Sequence, residues 1–72
     1  GALPDEIATV LYFASAVAAM VRCGRRISRL DDDGLRYALD WALEQSWLDD
    51  SLRALFVQGR QALKPTGAQR DA

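Results

Sequence analysis

A chain of 72 residues has room for one domain, and so short a chain buries only about 60% of its unfolded surface, which leaves a single core marginal without further support. The usual staples are excluded, because one cysteine cannot close an internal disulfide and there is no histidine to join it at a zinc ion. Nine basic and ten acidic side chains leave a net charge of −1, so there is no overall attraction to nucleic acid or to an anionic membrane, while 50% hydrophobic and 26% charged residues fit a folded globular chain.

Support from packing and from association is therefore expected. A lone thiol suits a reducing, cytoplasmic setting. No positively charged n-region precedes the first apolar run, which argues against a secretory signal. With no initiating methionine, the chain reads as a piece of a longer protein, with residues 1–3 as a leader or cloning remnant.

Pro4, Asp5 and Glu6 mark the first turn of a helix, where proline loses no hydrogen bond and acids suit the positive end of the dipole. Arg22 complements the far end, and Gly24 can take the left-handed conformation that closes a helix. From Ile7 to Val21 the only polar side chains are Thr9, Tyr12 and Ser15. A helix that is apolar on every side must be enclosed by protein or lipid. Ile7, Leu11, Ala14, Ala18 and Val21 are expected to line one inner face, and Val10, Phe13, Val17 and Met20 the next. Ala8, Ser15 and Ala19 form a flat strip able to receive a neighbouring helix or a second copy. The apolar run of fifteen residues falls short of the twenty or so that a bilayer span needs, so protein is the expected cover and no membrane partner is expected.

The connector RCGRRISR carries Arg22, Arg25, Arg26 and Arg29, which either decorate a helix end or form a basic patch. Ile27 and Leu30 are spaced to dip back into the core, leaving a turn or a short helical piece at residues 25–30. Asp31 is the natural N-cap of the second helix, with Asp32 and Asp33 in its first turn. Leu35, Ala38, Leu39 and Ala42 recur at helical spacing and face inward, with Arg36, Asp40 and Glu44 outward. Asp32 with Arg36 and Arg36 with Asp40 are candidate pairs four residues apart. Tyr37 and Trp41 form a second, aromatic ridge, on which Trp41 is the candidate for partner contact while Trp47 pins the corner to the third helix.

Asp49 and Asp50 cap the third helix, in which Leu52, Leu55, Phe56, Ala62 and Leu63 are the expected inner stripe and Gly59 allows close approach. Pro65 ends it, and residues 65–72 have too little apolar content to fold. The expected fold is all-α, a small bundle of three main helices over residues 4–64, with room for a short fourth helical piece between the first and second.

Motifs of chemistry are scarce. Read as a calcium loop with Gly34 at the sixth position, the acidic run would place Arg29 first and Asp40 last, so the leading carboxylate and the closing glutamate are both missing. Asp50-Ser51-Leu52 resembles the Asp-Ser-Leu of acyl carrier proteins, whose serine bears phosphopantetheine, but that fold needs more chain than the twenty-one residues after Ser51. A helix-turn-helix reading would send Arg53, Gln58, Arg60, Gln61 and Lys64 to DNA, yet Asp49, Asp50 and Ser51 occupy the end that enters the groove. No nucleophile with a base, no glycine-rich phosphate loop and no metal cluster is legible, so no catalysis, cofactor, metal or small-molecule substrate is expected. Cys23 is expected to pack as a small hydrophobe.

An interaction module remains, of the adaptor or recruitment kind, which binds a protein partner or a second copy. Its candidate partner-binding residues are Arg22, Arg25, Arg26, Arg29, Asp32, Asp33, Tyr37 and Trp41, since aromatic residues and arginine most often anchor interfaces. The segregation of charge into basic and acidic segments is similar in character to the small helical adaptor domains of the death-fold group, which recruit partners through complementary charged surfaces. Three or four helices fall short of the six of that fold. The alternative is structural: an obligate helical homodimer or a membrane-docked subunit with its first helix buried between chains.

Overall fold

Local start and stop signals divide the chain into three helices in the computed structural model, which describes residues 2–63: α1 (Pro4–Cys23), α2 (Asp32–Leu43) and α3 (Asp50–Ala62). Gly1, Lys64 and the expected tail at 65–72 lie outside the described residues.

α1 begins with Pro4 at its first position, and Glu6 Oε1 accepts the Leu3 amide at 3.1 Å, supplying one of the acceptors that a helix start requires. At the other end Gly24 sits at φ 67°, where a side chain would be strained. The amides of Gly24 and Arg25 reach back to the carbonyls of Met20 and Ala19. The two aspartate caps act as expected. Asp31 Oδ1 accepts the Gly34 amide at 2.8 Å, and Asp49 Oδ2 accepts those of Ser51 and Leu52 at 2.8 and 3.3 Å.

The core joins Val10 and Val17 of α1, Leu35, Leu39 and Ala42 of α2, Leu48 at the corner, and Phe56 and Leu63 at the far side. α3 is the hub, since α1 and α2 both pack on it more extensively than on each other. Gly59 makes that possible: a Cβ there would stand 2.7 Å from Val17 Cγ1 and 3.2 Å from Leu39 Cδ1, so all three helices converge on the missing side chain. A second link ties the hub to α2. Arg53 donates to the Leu43 and Gln45 carbonyls at 2.8 and 3.1 Å, placing a cation at the C-terminal, negative dipole end of α2.

Several expectations are corrected. α1 is not enclosed: two helices of twelve and thirteen residues cannot wrap one of twenty, and only Val10, Ala16 and Val17 are buried along it. Ile7 and Leu11, expected inside, are 44% and 54% exposed. The connector forms no fourth helix, and Ile27 and Leu30 stay in water instead of dipping into the core. Its bonds go to side chains instead, with Arg26 donating to Asp32 Oδ1 at 2.8 Å and to the Leu30 carbonyl at 3.1 Å, and Ser28 Oγ accepting the Leu30 amide. Asp40 pairs across the helices with Arg60 at 2.7 Å. Cys23, at the last position of α1 before the left-handed cap at Gly24, is exposed, and so is Ala62 at the end of α3.

Candidate functional site

Two surfaces at opposite ends of α1 carry the distinctive chemistry. The first is a groove of about 300 Å³ between the N-terminal half of α1 and the outer side of α2. Asp5, Thr9 and Phe13 contribute to it from α1 at four-residue spacing, together with Glu6, while Tyr37, Ala38 and Trp41 contribute from α2. Its walls are aromatic and its rim is acidic. The Thr9 hydroxyl is already used, donating to the Asp5 carbonyl at 2.8 Å. Phe13 meets Tyr12 edge to face at a centroid distance of 5.4 Å, which extends the aromatic surface towards the outside of α1. Tyr37 is 79% exposed, so its ring is held by little except the groove it borders.

The second surface is the connector. Arg22, Arg25 and Arg29 are exposed there, beside the exposed Ile27. Arg26 differs from them, since its ion pair with Asp32 fastens the connector to the start of α2. The expected basic and acidic surfaces are therefore partly joined to each other. Asp33 is exposed in the first turn of α2.

Of the candidate residues, the structure brings Tyr37 and Trp41 together in the groove and pairs Arg26 with Asp32. It leaves Arg22, Arg25, Arg29 and Asp33 on the surface. Trp41 is not purely an outer-ridge residue; it is partly buried and packs against the core, as Trp47 does. Sequence reasoning missed Asp5, Glu6, Thr9 and Phe13 as groove residues. The four-residue spacing of Asp5, Thr9 and Phe13 was visible, but capping accounted for Asp5 and Glu6 and core packing for Phe13, and Thr9 stood alone as a polar side chain.

Arg53 and Arg60, which a helix-turn-helix would send to DNA, bond to the Leu43 and Gln45 carbonyls and to Asp40. Among the described residues no three His, Cys, Asp or Glu side chains cluster to hold a metal ion. The described residues form three helices, half of what the death fold contains. No protein-family model, curated protein or solved structure matches the chain.

Proposed function

We propose that the protein is a small helical protein–protein interaction module of the adaptor or recruitment kind, with no catalytic role of its own. The observation that carries this reading is the uncovered side of α1. No charged residue falls between Glu6 and Arg22, about 22 Å of helix, yet only one side of that length is packed. Ile7, Leu11 and Tyr12 are each about half exposed on the open side, with Ala8 and Ser15 between them. Single exposed hydrophobes are ordinary, whereas a contiguous charge-free strip is a surface that other molecules cover.

The test is sedimentation velocity over a range of concentrations, combined with fluorescence of a dye that binds apolar surface, on the parent and on Ile7→Lys with Leu11→Lys. The parent is expected either to associate or to bind the dye, and the double variant to bind less dye while keeping its helical circular dichroism. A parent that stays monomeric and binds no dye overturns the reading.

A second reading, membrane docking, draws on a specific observation. The fifteen-residue apolar run is short for a bilayer, but the helix that forms has twenty residues, and its most apolar 18-residue stretch has a mean hydropathy of 1.5 with only 17% of it buried. Asp5 and Glu6 stand at one end and Arg22 at the other, with Arg25, Arg26 and Arg29 beyond it. Flotation with lipid vesicles tests it: protein that stays at the bottom of the gradient removes this alternative.

A further inference from the structure

We propose that the aromatic groove between α1 and α2 receives the basic connector of a second copy, with Ile27 entering the groove and Arg25 and Arg29 meeting Asp5 and Glu6 at its rim. This rests on the interaction-module reading and supplies its partner. Complementarity of charge and shape carries it. The groove presents aromatic faces from Phe13, Tyr37 and Trp41 beneath two carboxylates, and such a surface favours an aliphatic side chain flanked by guanidinium groups, which also stack on aromatic rings. The connector is that ligand: Ile27 is 47% exposed and lies two residues from an exposed arginine on each side. At about 300 Å³ the groove is at the small end of ordinary binding sites, which suits one side chain and the stems of its neighbours and not a whole helix. Asp5 makes no ion pair with another described residue, so its carboxylate is open to a partner.

A chain cannot fill its own groove this way. Asp5 and Arg22 are seventeen residues apart on one helix, about 25 Å, and the connector begins at the far end. None of its residues lines the groove. Plug and socket therefore lie at opposite ends of the molecule, and joining them is a heterologous contact that leaves one of each free. Such a contact builds open chains or rings and not a closed pair.

Complementation separates this from every other mode of association. Arg25→Glu with Ile27→Ser removes the plug and spares Arg26, whose bonds hold the connector in place. Asp5→Lys with Tyr37→Ala damages the socket at two exposed positions. Circular dichroism checks that both variants remain folded. The parent is expected to form species larger than dimers with rising concentration, to weaken by roughly tenfold or more when salt is raised from about 0.15 M to about 1 M, and each variant is expected to remain monomeric. Mixed together, the two variants should form a discrete one-to-one complex, since each keeps the half that the other lacks. Failure of the mixture to combine overturns the proposal. So does association that ignores salt and is lost only in Ile7→Lys with Leu11→Lys, which leaves the module reading intact with α1 as its contact. A monomeric parent that binds the apolar dye likewise overturns the second-copy contact alone, while a monomer that binds no dye overturns both.

Discussion

Gly59 shows how a single residue sets the distance between helices. Alanine in place of glycine gains about 1 kcal/mol of helix propensity, so the sign of Gly59→Ala depends on whether the neighbours can yield. They cannot easily do so: the nearest atom, 2.7 Å from the added methyl, belongs to Val17, whose branched side chain has one strongly preferred rotamer in a helix. Overpacking of this kind costs about 1–3 kcal/mol, which outweighs the propensity gain, and urea denaturation should show Gly59→Ala to be less stable than the parent. Adding Val17→Ala should recover part of the loss through a favourable coupling in the double-mutant cycle. Unchanged stability in Gly59→Ala would mean that α1 and α3 do not approach as closely as described. Arg53 is the second such residue. Replacing it with alanine strips two charge-assisted bonds from the end of α2, and a loss of about 1.5–3 kcal/mol is expected, with Arg53→Lys recovering only part because a single ammonium cannot reproduce the fork.

Among the elements, α2 is divided between core and surface more sharply than its sequence suggests. Leu35, Leu39 and Ala42 are fully enclosed, and Trp41, one turn from the ridge residue Tyr37, still packs against the same cluster. Tyr37→Ala should therefore change stability by no more than about 0.5 kcal/mol. Trp41→Ala and Trp47→Ala should each cost about 2 kcal/mol, below the range for fully buried aromatics because both rings are only partly covered. Thermal melts of the three variants check this ordering. A melt for Trp41→Ala that matches the parent would return the residue to the outer ridge and strengthen its role in partner contact. α1 behaves differently, because it has no polar face to orient it, and the two shorter helices select which side is covered.

For the whole molecule, the balance between a thin core and an open apolar strip ties stability to association. If copies associate through folded surfaces, binding favours the native state by mass action and the melting temperature must rise with protein concentration. A melting temperature that stays flat over a hundredfold change in concentration would contradict association of the folded form. The same melts should be indifferent to a metal chelator, since no ligand cluster occurs among the described residues. A drop in helicity on adding chelator would show that a metal supports the fold after all.

The helix boundaries were legible in the sequence because the signals that set them are local: Pro4 and Gly24 bracket α1, and Asp31 and Asp49 each bond to amides two or three residues ahead. The inner stripe of α2 was legible for a similar reason, as Leu35, Ala38, Leu39 and Ala42 alternate with charged residues and periodicity then has a phase. In α1 every face is apolar, so the period carries no phase, and only the placement of α2 and α3 decided that Val10 and Val17 are buried while Ile7 and Leu11 face water. Tertiary structure likewise supplied Arg60 as a partner for Asp40, and gave Arg53 to carbonyls at and just beyond the end of a neighbouring helix. It also assembled the groove, whose α1 and α2 walls lie more than twenty residues apart in the chain. A local signal is satisfied within a turn of helix, whereas the partner of a long side chain and the covered side of a uniform helix depend on where distant segments come to rest.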